Sequence, residues 1–157
     1  MPDTEITIIV EGEFEDVPAR SFVQAARHSL AILQDLDANI SHKAQGSIRW
    51  VIGRLHKGSP AEISYRAVNP TTGTDFSAEI ARNYLDGLEM LSAGKRPPSV
   101  FHERSLQAAR NLAHIRGHAG IKSLRVQSNG RSMVITEKIA ASVDDLLEQS
   151  FEAIGSI

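Results

Sequence analysis

Two histidines of this sequence, His114 and His118, stand four residues apart, a spacing that can support metal chemistry. On a helix this spacing places both imidazoles on one face, as in zinc-binding helices. The zinc-protease motif also needs a glutamate beside the first histidine, and no acidic residue lies between these two. Positively charged imidazoles near a helix C-terminus stabilise the helix dipole instead. The sequence therefore predicts a structural role for both residues, no metal site and no cofactor.

Catalysis without a metal is the alternative interpretation of the histidines. His102, His114 or His118 could serve a small metal-independent hydrolase or nuclease if a carboxylate, which the sequence does not identify, lies beside one of them. The chain contains no cysteine, no glycine-rich phosphate loop and no nucleophile-elbow motif. We therefore favour a non-catalytic binding or interaction module and predict no catalytic residue.

Positive charge is concentrated in the middle of the chain. Residues 41–131 contain 14 Lys or Arg and 6 Asp or Glu, a net charge of +8, whereas the rest of the chain carries −10. Basic regions are typical of proteins that bind the phosphate backbone of nucleic acids. The alternative is that the cations mix with acidic residues on a solvated surface. The predicted binding surface comprises nine residues: Arg49, Lys57, Arg66, Lys95, Arg96, Arg104, Lys122, Arg125 and Arg131.

A protein is the second class of partner that the sequence allows. Each of the two predicted hairpins can leave an edge strand exposed, and the terminal helix can carry an apolar patch. Either feature could pair two copies of the chain in a homodimer. The sequence thus leaves nucleic acid and protein open as partners.

Apolar periodicity and turn residues predict the element order β-α-ββ-αα-ββ-α. Asn129-Gly130 marks a hairpin, because a type I′ turn needs positive φ at both central residues. This order indicates an α+β fold, with helices on one face of a mainly antiparallel sheet of about five strands. The predicted elements are a strand over 5–14, a helix from Pro18 to about Ala38, strands over 47–57 and 61–68, a helix from Thr74 or Asp75 to Gly94, a helix over 101–117, strands over 121–128 and 132–138, and a helix from Ala140.

Alternation along the strands predicts which side chains share a face. Arg49, Lys57 and Arg66 are expected to point away from the face of Trp50, and Leu55 is expected to share their side. One face of the sheet would then be apolar beneath the helices, and the other would carry positive charge. If the first two strands are neighbours, the long helix between them forms a parallel, right-handed crossover.

Length and composition bound the class of protein. The chain has 157 residues, of which 41% are hydrophobic, and a single domain of this size buries enough surface to fold without a disulfide or a metal. The absence of cysteine excludes thiolate metal sites and makes a reducing cytoplasm the expected compartment. The sequence shows neither a signal-peptide pattern nor an apolar run long enough to span a bilayer, so we expect no membrane association.

Two segments carry a resemblance to a known group of proteins. They are the ending Leu146-Leu147-Glu148-Gln149-Ser150-Phe151-Glu152-Ala153-Ile154-Gly155-Ser156-Ile157 and the stretch Pro97-Pro98-Ser99-Val100-Phe101 before a helix. They resemble the amino-terminal domain of uncharacterised bacterial two-domain proteins, in which a Gly-Ser-Ile segment opens a β-rich second domain. The resemblance implies that residues 1–157 form one α+β domain, which is either the amino-terminal part of a longer protein or a naturally shortened member of the group. It implies no activity.

Overall fold

The computed structural model describes residues 4–68 and 73–155 of the chain, with side chains through residue 149. The predicted order of elements is confirmed. Of the Gly-Ser-Ile segment, Ser156 and Ile157 lie outside the described residues. No helix among the described residues is long and apolar enough to cross a membrane. The elements are β1 (Glu5–Gly12), α1 (Ala19–Ser41), β2 (Arg49–His56), β3 (Ala61–Val68), α2 (Ser77–Ser92), α3 (Glu103–Ile115), β4 (Ile121–Ser128), β5 (Arg131–Val134) and α4 (Lys138–Gly155).

The five strands form one sheet in the order β2-β3-β1-β4-β5, and every neighbouring pair is antiparallel. The condition for a parallel crossover is not met, because β3 lies between β1 and β2. The tight β2-β3 hairpin pairs locally, and β3 then pairs with β1, so α1 returns the chain to the edge of the sheet. The β1 strand is therefore central and β2 is an edge strand.

The helices cover one face of the sheet, which we call the inner face, and the opposite face is the outer face. This arrangement confirms the predicted two-layer α+β architecture. Side chains of the inner face and the helices interlock in one apolar core, whose burial supplies the main driving force for folding. Its fully buried members include Ile6, Ile8, Leu33, Leu36, Leu88, Leu112 and Leu124.

Two tyrosines connect the core to α1 through hydrogen bonds. The Tyr65 hydroxyl on β3 donates to the Ala26 carbonyl at 2.6 Å, and the Tyr84 hydroxyl on α2 lies 2.6 Å from Ser29 Oγ. Burial raises the pKa of Tyr65 to about 12. Burial also raises the pKa of Tyr84, although the hydrogen bond with Ser29 opposes the shift. Because each phenol has a polar partner, the core accommodates both without an unsatisfied hydroxyl.

A buried carboxylate fixes the point where the chain enters β2. Asp37 of α1 is 1% exposed, and its two oxygens accept the backbone N–H of Ser47 at 2.9 and 2.8 Å and that of Ile48 at 2.8 Å. The Ser47 hydroxyl donates to the same carboxylate at 2.9 Å. Hydrogen bonds to an ionised acceptor are stronger than neutral ones, so this contact holds the edge strand to the helical layer.

The second hairpin confirms the turn prediction but not the full length of its second strand. Asn129 and Gly130 have φ values of +50° and +77°, as the type I′ turn requires. The strand expected over 132–138 ends at Val134, because the chain turns at Thr136 and Glu137, whose carbonyls accept the first N–H groups of α4. The final helix accordingly begins at Lys138 rather than Ala140.

Candidate functional site: the β2 edge

The edge strand β2 exposes apolar side chains that its position in the sheet leaves uncovered. Ile52 is 62% exposed and Leu55 is 63% exposed, although both belong to an eight-residue strand. Trp50, which the alternation places beside them, is half-buried and packs against the core. A single exposed apolar side chain is common on protein surfaces, but two on the open edge of a sheet form a surface that can accept another strand.

A β-bulge at Gly53 places both apolar side chains on the same face. Ile52 pairs with Tyr65 and Leu55 pairs with Ile63, and both of these partners face the core. The expectation that Leu55 points away from Trp50 is therefore wrong. One extra residue reverses the alternation for the rest of the strand, and the register shift lies between Ile52 and Arg54.

The outer side of the same strand is cationic. Arg49, Arg54 and His56 pair with β3 residues of the outer face, and Lys57 follows the end of the strand. Arg54 Nε lies 3.0 Å from Glu5 Oε1 on the central strand. The strand itself contains no acidic residue, so β2 combines an apolar margin on the inner face with positive charge on the outer face.

The nine predicted binding residues are distributed over several regions and do not form one surface. Arg49, Arg66 and Arg125 share the outer face, which also carries Glu5 and Glu62. Alternation alone could not place the acidic neighbours among these arginines, because their proximity depends on the order of strands. On that face the structure therefore shows the mixed charge that was the alternative prediction.

The remaining predicted cations lie apart from that face or are paired. Lys122 Nζ lies 3.5 Å from Glu11 Oε1, and Arg131 contacts Asp86 and Glu89 of α2 at 2.7 and 2.6 Å. Those two carboxylates raise the pKa of Arg131. The other members are placed as follows: Lys57 just beyond β2, Lys95 and Arg96 in the corner between α2 and α3, and Arg104 on α3.

The three histidines have different surroundings. His102 precedes α3 and its backbone N–H donates to Ser105 Oγ at 2.9 Å, while His114 lies exposed in the last turn. Because α3 ends at Ile115, His118 lies beyond the helix, and its Nδ1 is 3.0 Å from Ser21 Oγ. Ser21 is only 5% exposed, which leaves no room for a substrate at its hydroxyl. Over residues 4–68 and 73–155, no group of three or more metal-ligating side chains is present.

A polar groove between α1 and α3 was not recognised from the sequence. It has a volume of about 570 Å³ and is lined by residues of both helices and by the segment after α1. Arg27 and His28 occupy one wall and Arg104 the other. Their convergence depends on how α1 and α3 pack, so no local pattern signals it.

No protein-family model matches the chain, and no curated protein or solved structure matches it either.

Proposed function

We propose that this protein is a non-catalytic interaction module that binds an extended acidic segment of a partner protein along the β2 edge. The observation that carries the proposal is the exposure of Ile52 and Leu55 on an edge strand that also bears Arg49 and Arg54, with Lys57 just beyond its end. Strand addition to an exposed sheet edge is a recurring mode of peptide recognition.

The geometry of β2 supports a partner strand with one apolar and one acidic face. A strand that pairs with β2 places alternate side chains on the two faces of the extended sheet. On the inner side they meet Ile52 and Leu55, which favours apolar residues, and on the outer side they meet Arg49 and Arg54, which favours acidic ones. Backbone hydrogen bonds supply affinity, and this alternation supplies specificity.

Charge disfavours a second copy of the chain as the occupant. Two β2 strands in an antiparallel pair would place side by side two strands that each carry Arg49 and Arg54 and no acidic residue. Like charges on opposite strands are destabilising. The same cations attract an acidic strand, so the edge discriminates by charge.

Nucleic acid has less support as a partner. The outer face that carries Arg49, Arg66 and Arg125 has mixed charge, with Glu5 and Glu62 among the arginines, whereas the β2 edge adds apolar side chains that phosphate groups do not use. Single-stranded nucleic acid is usually held by bases stacked on aromatic side chains, and the strand residues of that face include no aromatic.

Fluorescence anisotropy with labelled peptides tests the proposal. The probe is a ten-residue peptide that alternates Val and Glu, compared with a Val and Lys peptide of the same length and with a labelled DNA duplex. We expect the acidic peptide to bind and the basic one not to bind. The double substitution Ile52→Lys and Leu55→Lys should weaken binding about tenfold or more, because both apolar contacts are lost.

Matched variants separate the edge from general surface effects. Val134→Lys changes an exposed apolar residue at the other edge of the sheet and should leave binding unchanged. Preference for the DNA duplex, equal affinity for both peptides, or equal binding by the double variant would each overturn the proposal. A sedimentation mass of two chains that Ile52→Lys reduces to one would replace the acidic partner by a second copy.

A further inference from the structure

We propose that the groove between α1 and α3 binds a small phosphorylated polyhydroxy compound, such as a sugar phosphate. The groove lies in the helical layer, so this site is separate from the β2 edge and does not depend on the function proposed for that edge. Its volume of about 570 Å³ falls within the range of small-molecule pockets.

The walls of the groove carry more positive than negative charge, with two arginines and one aspartate among the lining residues. Arg27 on α1 and Arg104 on α3 both line it, and neither forms an ion pair within the described part of the chain. Guanidinium groups bind phosphate through paired hydrogen bonds. Two of them on facing helices therefore give the groove its preference for an anion.

Asp35, the acidic residue that lines the groove, forms a hydrogen bond that connects α1 to α3. Asp35 Oδ2 accepts the backbone N–H of Ser105 at 3.0 Å and the side-chain amide of Asn39 at 3.3 Å. Its charge is thereby directed to the N-terminal turn of α3, where an acidic group is favourable. The two arginines are left available for a ligand.

Four amide side chains and an imidazole supply hydrogen bonds for hydroxyl groups. Amides both donate and accept, as hydroxyls do, and they match a polyol better than an apolar ligand. Burial, and secondarily the charge of Arg27, lowers the pKa of His28, so its neutral ring can also donate and accept. The amide residues are Gln34, Gln45, Gln107 and Asn111.

The composition of the groove lining disfavours apolar ligands and nucleobases. Alanines at positions 31, 38, 44 and 108 leave space between the helices but offer little apolar surface. The lining contains no Phe, Tyr or Trp, so a nucleobase would find no aromatic ring on which to stack. A compact sugar phosphate uses the charge and the amides and needs no stacking surface.

Isothermal titration calorimetry with three probes tests the site: ribose 5-phosphate, inorganic phosphate and ribose. We expect ribose 5-phosphate to bind with a Kd of about 1 mM or tighter, inorganic phosphate about tenfold more weakly, and ribose not at all. Arg27→Ala and Arg104→Ala should each weaken ribose 5-phosphate binding about tenfold, as the loss of a charge-assisted hydrogen bond implies. Gln107→Leu should weaken ribose 5-phosphate but not inorganic phosphate.

Arg82→Ala is the matched control, because Arg82 is exposed on α2 beside β5 and lies outside the groove. This variant should bind as the unchanged protein does. All substituted side chains are exposed, so circular dichroism should show folded protein in each case. Absence of ribose 5-phosphate binding, equal binding of ribose, or equal losses in Arg82→Ala and Arg27→Ala would overturn the proposal. The peptide-binding result at the β2 edge is independent of each of these outcomes.

Discussion

The two edges of the sheet differ in length, charge and coverage. The β2 edge has eight residues, exposes Ile52 and Leu55, and carries cations without an acid in the strand. The β5 edge has four residues, and its Arg131 is held by Asp86 and Glu89 of α2. Short edge strands tied to a neighbouring element resist pairing with other chains. By this contrast β2 is the more open of the two edges, which supports the proposal that it binds a partner.

The largest expected effect concerns the anchor of the β2 edge. Asp37→Ala removes a buried acceptor of two backbone N–H groups and one hydroxyl, so those donors lose their partners. We expect the free energy of unfolding to fall by about 3–5 kcal/mol. Urea denaturation measures it, with Glu148→Ala on the exposed side of α4 as the control. A loss below about 1 kcal/mol would show that β2 does not depend on Asp37.

The second prediction compares an isoleucine of the central strand with one of the open edge. Ile8 is fully buried and Ile52 is 62% exposed. Ile8→Ala should lower the free energy of unfolding by about 2–5 kcal/mol through lost contacts and a cavity, whereas Ile52→Ala should change it by about 0.5 kcal/mol or less. Thermal or urea unfolding provides both values. Equal losses would mean that Ile52 is structural, which would remove the basis for a binding role.

The third prediction uses the tyrosine that lies opposite Ile52. Burial raises the pKa of Tyr65 to about 12, so the folded state holds this proton more tightly than the unfolded chain does. The associated stability is fully present below about pH 10 and is lost as the pH rises toward 12, at a rate of at most about 1.4 kcal/mol per pH unit. Tyr65→Phe should flatten that decline in urea denaturation. An unchanged slope between the two forms would contradict the assignment.

The smallest effect is expected at the β5 edge. Arg131→Ala removes both ion pairs with α2, but these groups are partly exposed and screened by solvent. We expect a loss of about 0.5–1 kcal/mol that diminishes with added salt. Unfolding measured at low and high ionic strength tests this. A much larger loss, insensitive to salt, would indicate that the β5 edge is held by packing around Arg131.

Local sequence patterns were sufficient for much of the fold. Alternation delimited β3 and β4, since each lies against the core and its pattern directly reports burial. Asn129-Gly130 located the second hairpin, because its backbone conformation is encoded by two adjacent residues. Apolar spacing of three to four residues located all four helices, because it marks the side of each helix that packs against the core.

Predictions failed where a distant contact or an inserted residue decided the outcome. The side of Leu55 was wrong because the bulge at Gly53 changes the register with β3, which is set by pairing and not by composition. The charge pattern also could not show that the predicted cations lie on different elements, such as Arg104 on α3 and Arg125 on β4, because it contains no information on packing.

By itself, the amino-acid sequence determined the type and order of the elements, since periodicity and turn chemistry act over a few neighbouring residues. Only the tertiary structure decided that β2 lies at an edge, that Arg131 forms ion pairs with α2, and that Arg27 and Arg104 line one groove. These features depend on strand order and helix packing, which bring together residues far apart in the chain.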